Sequence, residues 1–167
     1  MSWTQERLFS SKNLDWVTPD GLWQQLDAEF GFGLDAAASV ENTKCSDFFT
    51  EADDALTQDW SGYGTVWCNP PYGRNLGQWM MKCALEGERT PVVALVFART
   101  DTRWCHDWGM DAESSAEIRF IRGRVKFTRG NVVGPAPAPS MVVVWAPKPE
   151  APDPNLDRMW VTTMYQP

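Results

Sequence analysis

Four consecutive residues, Asn69-Pro70-Pro71-Tyr72, place an amide, two prolines and an aromatic ring directly after a short apolar segment. The apolar segment, residues 64–68, is typical of a buried β-strand. The strand must end at Asn69, because two consecutive prolines have no N–H groups to donate to a sheet. In open α/β sheets, ligands bind at the carboxyl ends of the strands. The motif therefore predicts a ligand-binding loop, and a rigid turn without a ligand is the alternative.

These residue types suit the modification of an exocyclic amine such as the N6 amino group of adenine. That nitrogen is a poor nucleophile, because its lone pair is delocalised into the ring. The Asn69 side-chain oxygen and the Pro70 carbonyl can accept hydrogen bonds from its two N–H groups and so expose the lone pair. The Tyr72 ring offers a face for an extruded base, and such stacking is worth ~1–3 kcal/mol. A general base is not required, since the proton can leave after alkylation.

A second candidate, Asp35, ends a predicted strand over residues 32–37 and is followed by the small residues Ala36, Ala37 and Ala38. Its carboxylate can accept hydrogen bonds from an ammonium group or from ribose hydroxyls, whereas a capping aspartate in a turn is the alternative. Its position at the same predicted sheet edge as Asn69 favours a ligand. The sequence has no GxGxxG motif, which favours a cofactor without phosphates, and S-adenosylmethionine fits better than NAD or ATP.

The rest of the chain alternates helices with apolar strands and contains no internal repeat. Thr18-Pro19 predicts a helix that runs to about Phe30, since threonine is a good N-cap and proline fits the first turn. Apolar spacing predicts a second helix over 76–85, and a third is expected over 103–115. Further strands are predicted at 92–98, 116–121 and 141–146, with a proline-rich loop at 134–139.

This alternation predicts the α/β class, with a doubly wound, mostly parallel central sheet flanked by helices. The length of 167 residues predicts a single domain over residues 1–167, with irregular termini at 1–12 and 147–167. The four cysteines form no CxxC pair and there is one histidine, so no metal site is expected. No stretch is long enough to span a membrane and no signal peptide is evident, which predicts a cytoplasmic protein with reduced thiols.

The net charge of −7 opposes nucleic-acid binding, but the charge is distributed unevenly. Residues 1–60 contain twelve acids and three bases, whereas residues 61–167 contain ten acids and twelve bases. The window 119–129 has no acid and five cations, namely Arg119, Arg122, Arg124, Lys126 and Arg129. Its pattern predicts strand–turn–strand with a cationic face. Cations also protect sheet edges, but their density here favours contact with phosphates.

In these motifs the chain resembles the short, phage-type DNA N6-adenine methyltransferases. The matching stretches follow the order of that family and cover about residues 13–146. They are DWVTP (15–19), LDAAA (34–38), DW (59–60), WCNPPY (67–72), FARTDTRW (97–104), GRVKF (123–127) and SMVVV (140–144). One departure is that LDAAA lacks the glycines that the longer methyltransferases have in their cofactor loop.

The resemblance implies a Rossmann-like S-adenosylmethionine-dependent fold and site-specific methyl transfer to a flipped-out adenine of double-stranded DNA. The implied catalytic residues are Asn69, Pro70, Pro71 and Tyr72. The implied cofactor-binding residues are Trp16, Thr18, Pro19, Asp35, Ala36, Asp53, Asp54 and Asn69. The implied contacts with DNA or with the base are Tyr72, Arg99, Arg122, Arg124, Lys126 and Phe127, with Phe127 as a second aromatic packing on the base.

Two other classes of function compete with this interpretation. The same loop chemistry would serve an amino-methyltransferase that acts on RNA or on a protein glutamine, and the net acidity fits a protein substrate. A catalytically silent nucleic-acid-binding relative is the other alternative. The basic window favours nucleic acid, and the presence of Asn69, Pro70, Tyr72 and Asp35 favours an active enzyme. The expected location is the cytoplasm of a bacterial host cell, and the sequence leaves the oligomeric state open between a monomer and a weak dimer.

Overall fold

The computed structural model describes residues 17–110, 116–129, 131–148 and 161–165. Its two α-helices are α1 (Asp20–Phe30) and α2 (Leu76–Gly87), and a π-helix spans Cys105–Met110. Three 3₁₀ turns lie at Glu51–Asp53, Ala55–Thr57 and Ser61–Tyr63. The strands are β1 (Phe32–Asp35), β2 (Asp47–Phe48), β3 (Thr65–Cys68), β4 (Val92–Phe97), β5 (Glu117–Arg122), β6 (Lys126–Arg129), β7 (Val132–Pro135), β8 (Ser140–Trp145) and β9 (Val161–Tyr165).

The described strands form a seven-stranded sheet in the order β2-β1-β3-β4-β8-β5-β9. Strand β1 pairs in parallel with β2 and β3, and β3 pairs in parallel with β4. Strand β8 is antiparallel to both of its neighbours, β4 and β5, whereas β9 is parallel to β5. Strands β6 and β7 form a separate antiparallel ribbon. The predicted mixed α/β architecture with a mostly parallel sheet is therefore confirmed.

Strand β4 is packed on both faces of the sheet. All six of its residues are buried, which is typical of a central strand that is covered on both faces. Alternate side chains join two different cores. Val92, Ala94 and Val96 pack with Met80 and Cys83 of α2. Val93, Leu95 and Phe97 pack on the other face with Leu22 and Leu26 of α1. The two helices therefore cover opposite faces of the sheet.

The helix boundaries follow the local signals closely. Helix α1 begins immediately after Pro19 and ends at Gly31, whose φ of 63° is the left-handed conformation that glycine favours. Helix α2 begins at Leu76, as predicted, and continues to Gly87, two residues beyond the predicted end. Where the third helix was expected, the described segment is a π-helix over Cys105–Met110. Residues 111–115 of that predicted helix lie outside the described residues. No helix in the described part of the chain is long and apolar enough to cross a membrane.

Several strands depart from the sequence prediction. The irregular terminus predicted for 147–167 is wrong at Val161–Tyr165, because this segment adds a strand beside β5. The predicted strand–turn–strand over 119–129 is present, and it turns at Gly123 with a φ of 89°. However, β5 and β6 belong to different sheets and do not pair with each other. The proline-rich loop at 134–139 begins inside β7.

Candidate active site at the carboxyl edge of the sheet

The carboxyl ends of β1 and β3 lie side by side. Asp35 is in register with Trp67, and the N–H of Ala36 donates to the Trp67 carbonyl at 2.9 Å. The chain leaves β1 for β2 on one side of it and returns as β3 on the other side. This reversal is a topological switch point, where a crevice opens beyond the strand ends. The fold thus places Asp35 and the Asn69 loop at one edge, as the sequence predicts.

A narrow pocket of about 40 Å³ occupies this crevice, and we call it the edge pocket. It brings together six of the residues that the sequence assigned to the site: Thr18, Asp35, Asn69, Pro70, Pro71 and Tyr72. It also contains five residues that the sequence analysis missed as site residues: Val17, Ala37, Asn42, Lys44 and Trp67. Pro19 is not among its lining residues, and Trp16 lies outside the described residues.

The Asn69 side chain is held in one orientation by its neighbours. Its Nδ2 donates to the Thr18 Oγ1 at 3.3 Å. This contact directs the amide oxygen towards Tyr72, whose hydroxyl lies 3.4 Å from Oδ1. Thr18 was predicted to cap α1, but Pro19 occupies the capping position and the Thr18 hydroxyl serves Asn69 instead. The amide therefore presents its acceptor atom on the side of Tyr72.

The Tyr72 ring is fixed from behind. One face stacks on Phe97, with ring centroids 4.0 Å apart and planes inclined by 15°. Its hydroxyl donates to the Leu95 carbonyl at 3.1 Å. Burial raises the pKa of the Tyr72 phenol well above its usual range, so the hydroxyl stays neutral. Phe97, the last residue of β4, is thus part of the site, although the sequence analysis gave it no role.

Asp35 is buried, with 3% of its surface exposed. Its Oδ1 accepts from the Ala37 N–H at 3.4 Å, and its Oδ2 accepts from the Lys44 N–H at 3.0 Å. Burial raises the pKa of Asp35 to about 6, and the two N–H groups and the Lys44 charge oppose that rise. The carboxylate thereby ties the loop after β1 to the segment around residue 44.

Lys44 also links the site to α1. Its ammonium group pairs with the carboxylate of Asp20 in the first turn of that helix, and the lysine side chain is only 14% exposed. Lys44 is the one basic side chain among the residues that line the edge pocket. Sequence reasoning missed it because residue 44 becomes a neighbour of Asp35 only through folding of the loop.

A second cavity, which we call the wide groove, has a volume of about 610 Å³. It shares Ala37 and Pro71 with the edge pocket, so the two are contiguous. Its other lining residues come from the loop after β1, from the turns after β2 and from the start of α2: Ala36, Ala38, Phe49, Thr50, Glu51, Asp54, Ala55, Leu56, Gly73, Arg74, Asn75 and Trp79. The predicted cofactor residues Ala36 and Asp54 therefore lie in the groove.

Asp53 and Asp54 differ in their surroundings. Asp54 lines the wide groove, and its φ of 48° is a left-handed conformation that aspartate tolerates better than most residues. Asp53 does not line the groove. Its Oδ2 accepts from the Thr50 N–H at 2.8 Å and from the Thr50 hydroxyl at 2.7 Å. Those two hydrogen bonds lower the pKa of Asp53 and direct its carboxylate into a local turn. Glu51, which the sequence analysis missed, lies in the groove with Asp54.

The residues assigned to DNA behave in different ways. Arg122, Arg124 and Lys126 are exposed and form no ion pair with the described residues. Arg99 is exposed in the loop that follows Phe97. The prediction for Phe127 is wrong for the described arrangement, because only 5% of its surface is exposed. It packs in the apolar core with Ile121 and Val125, since β6 turns it inward, so no free face is left for a base.

Arg119 does not belong to the exposed cationic surface of the basic window. Its guanidinium donates to both carboxylate oxygens of Glu29 at 2.6 Å, and also to Glu117. Those carboxylates raise its pKa and leave the side chain 13% exposed. Arg119 is therefore a neutralised part of the contact between α1 and β5. The free cationic surface consists of Arg122, Arg124 and Lys126; the Arg129 side chain lies outside the described atoms.

Side chains that could hold a metal ion do not cluster in the described part of the chain. No group of three or more His, Cys, Asp or Glu side chains there is placed to hold a metal ion. The four cysteines are free thiols, and burial raises the pKa of Cys68 well above its usual range. The candidate site is built from amide, carboxylate, hydroxyl and aromatic groups at a sheet edge, an arrangement typical of α/β proteins that bind organic ligands at a switch point.

Comparison with known proteins identifies the family. The model of the DNA N-6-adenine-methyltransferase (Dam) family matches residues 5–164, so the chain belongs to that family. It is 30% identical over 147 residues to the DNA N-6-adenine-methyltransferase of Haemophilus phage HP1, which covers 83% of this chain and 82% of that protein. It is 40% identical over 60 residues to the DNA N-6-adenine-methyltransferase of Escherichia phage T1, which covers 35% of this chain and 25% of that protein. The family predicted from the sequence is confirmed.

Proposed function

We propose that this protein transfers a methyl group from S-adenosylmethionine to the N6 amino group of an adenine flipped out of double-stranded DNA. The observation that carries the proposal is the contiguity of two cavities at the switch point of the mostly parallel sheet. The edge pocket contains the amine-binding loop, and the wide groove beside it is large enough for a nucleoside. A methyl donor in one and an amine in the other would meet near Pro71, which lines both.

The wide groove fits the adenosine part of the cofactor. Ala36, Ala37 and Ala38 leave the backbone open to close approach, and Glu51 and Asp54 offer carboxylates for ribose hydroxyls. The methionine end would then extend towards the edge pocket, where Asp35 can accept from its ammonium group and Lys44 can face its carboxylate. When bound, S-adenosylmethionine supplies an electrophilic methyl group on a sulfonium centre.

The chain's own residues then orient the nucleophile. Asn69 Oδ1 and the Pro70 carbonyl accept hydrogen bonds from the two N–H groups of the amine, which raises the electron density on its nitrogen. Thr18 keeps the Asn69 amide in the required orientation. The face of Tyr72 that is not covered by Phe97 stacks on the base, so the base lies between the aromatic ring and the cofactor groove. The surplus proton leaves to water after the methyl group is transferred.

The same loop chemistry can act on RNA or on a glutamine, so the test must compare substrates. Purified protein is incubated with labelled S-adenosylmethionine and with duplex DNA, RNA or bulk protein, and each product is hydrolysed. Label in N6-methyldeoxyadenosine supports the proposal. Label in RNA nucleosides or in glutamine overturns the DNA assignment, and label in none of the three overturns the enzyme assignment in favour of a silent relative.

Asn69→Ala tests the assigned chemistry within the same assay. The variant loses one acceptor for the amine, which typically costs ~10²–10³ in rate, whereas cofactor binding should change little. Gln78→Ala, at an exposed position of α2, is the matched control because it also removes a primary amide. If Asn69→Ala keeps half of the wild-type turnover, Asn69 does not bind the amine.

A further inference from the structure

The β6–β7 ribbon ends in an exposed apolar tip. Val132 and Val133 are 57% and 62% exposed. Neighbouring residues of a strand point to opposite faces, so both faces of the ribbon are open to solvent at this point. The base of the ribbon is anchored, because Val125 and Phe127 are 0% and 5% exposed. The exposed valines therefore lie at the turn end of the ribbon, whereas its other end is packed in the core.

The tip is poorly suited to remain in water. Exposed β-branched side chains on a short ribbon favour association, so such a tip calls for a partner. Three exposed cations lie at the start of the ribbon: Arg122 and Arg124 precede β6, and Lys126 is its first residue. They form no ion pair with the described residues. An apolar tip with cations at its base complements a polyanion that also carries apolar groups. This charge complementarity selects DNA as the occupant.

The ribbon is joined directly to the edge pocket. Thr128 in β6 and Val17 exchange two backbone hydrogen bonds, of 2.8 and 3.1 Å. Val17 and Thr18 both line the edge pocket, and the Thr18 hydroxyl accepts from Asn69. A ribbon fixed in this way lies next to any DNA whose adenine enters the pocket. The position of the tip on that DNA is thereby tied to the position of the target base.

The chemistry of the DNA grooves determines what the valines can contact. The major groove is about 12 Å wide and admits a two-stranded β-ribbon. Among the groups that base pairs present there, the C5 methyl group of thymine is the apolar one. We propose that the ribbon tip enters the major groove beside the target adenine and that Val132 and Val133 contact thymine methyl groups, which contributes sequence specificity. This inference rests on the proposed DNA methyltransferase function.

The test removes the methyl groups from the DNA and the valines from the protein in turn. One duplex is amplified with dTTP and again with dUTP, so that the two products differ only in the thymine methyl groups. Initial methylation rates at low DNA concentration are measured for wild type and for Val132→Ser/Val133→Ser. For each thymine methyl group that a valine touches, the wild type should act roughly 4-fold or more slowly on uracil DNA. The serine variant should be slow on both duplexes, with a thymine-to-uracil ratio near one.

Two further variants control for folding and for general loss of apolar surface. Val132→Thr/Val133→Thr keeps the β-branched shape and one methyl group per residue, so it should retain the ribbon and an intermediate ratio. Leu85→Ser changes an apolar residue of α2 that is 47% exposed and should keep the wild-type ratio.

The outcomes separate the two proposals. Equal wild-type rates on both duplexes, or an unchanged ratio in both valine variants, overturn the ribbon inference while DNA methylation itself stands. If the wild type methylates neither duplex, the proposed function fails and the inference fails with it.

Discussion

The ring of Tyr72 is supported by that of Phe97, at a centroid separation of 4.0 Å, although the two residues come from different strand ends. The NPPY loop follows β3, whereas Phe97 ends the neighbouring strand β4. Phe97 fixes one face of the Tyr72 ring, and Tyr72 also lines the edge pocket. In the proposed mechanism, the placement of an extruded base therefore depends on a residue outside the loop itself.

Phe97→Leu should lower kcat by roughly 10-fold to 100-fold while the affinity for S-adenosylmethionine changes little. Leucine fills most of the volume but removes the aromatic contact, and small misplacements of reacting groups can cost about 10²-fold in rate. Steady-state kinetics and calorimetry measure the two effects. Phe30→Leu, at the end of α1, is the control because it also removes an aromatic contact, at the edge of the core that α1 forms with the sheet. Equal turnover in the two variants would show that Tyr72 needs no support from Phe97.

Asp35 should make stability depend on pH. Its pKa is raised by burial from 3.8 to about 6, so the folded state holds this proton more tightly than the unfolded state does. The free energy of unfolding of the wild type, relative to Asp35→Asn, should therefore fall by up to about 3 kcal/mol as the pH rises from about 4 to 6.5. Denaturant titrations of both proteins at several pH values measure this difference. A pH-independent difference would mean that Asp35 ionises normally.

The ionisation of Asp35 should also control the affinity for the cofactor. If the Asp35 carboxylate accepts from the ammonium group of S-adenosylmethionine, affinity should decline as the pH falls through about 6. Asp35→Asn should bind more weakly at pH 7.5, by about 10-fold or more, and should lose this pH dependence. Calorimetry at pH 5.5 and pH 7.5 compares them. If the affinities of the wild type and Asp35→Asn depended on pH in the same way, the role of Asp35 would be limited to its hydrogen bonds with Ala37 and Lys44.

Neighbouring aspartates should have different roles in cofactor binding. Asp54→Asn should weaken binding of S-adenosylhomocysteine by roughly 10-fold to 100-fold, because Asp54 lines the wide groove and the substitution removes a charge-assisted hydrogen bond. Asp53→Asn is the matched control, since the Asp53 carboxylate is engaged by Thr50 outside the groove. It should bind the ligand as the wild type does. A larger loss of affinity in Asp53→Asn than in Asp54→Asn would place the adenosine elsewhere.

The basic window should contribute to DNA binding through Arg122 and Arg124, not through Arg119. Replacing Arg122 and Arg124 together by Gln should flatten the slope of log affinity against log salt by up to about two units, at similar cost for all DNA sequences. Arg119→Gln should leave this slope unchanged and lower thermal stability, since its charge is already paired with Glu29 and Glu117. Fluorescence anisotropy at several salt concentrations measures the slopes. An unchanged slope in the double variant would move the DNA surface to Arg74, Arg99 or Arg103, because Lys82 is 16% exposed and paired with Glu86.

Local sequence alone determined the parts of this protein that depend on neighbouring residues. Two prolines end β3 at Asn69 whatever the rest of the chain does, and a continuous apolar run makes β4 a buried strand. Gly31 ends α1 because the left-handed conformation is inexpensive for glycine. The positions of Asp35 and Asn69 at strand ends follow from these signals. The family was likewise recognisable, because its motifs are contiguous in sequence.

Only the tertiary structure decided which of the remaining residues meet. Phe127 and Arg119 carry the right side chains for DNA, but long-range packing buries the first and pairs the second with Glu29. Lys44 reaches Asp35 through a loop, and Phe97 reaches Tyr72 from the end of the neighbouring strand. Such contacts depend on strand order and register, to which distant segments contribute jointly, so no local pattern encodes them.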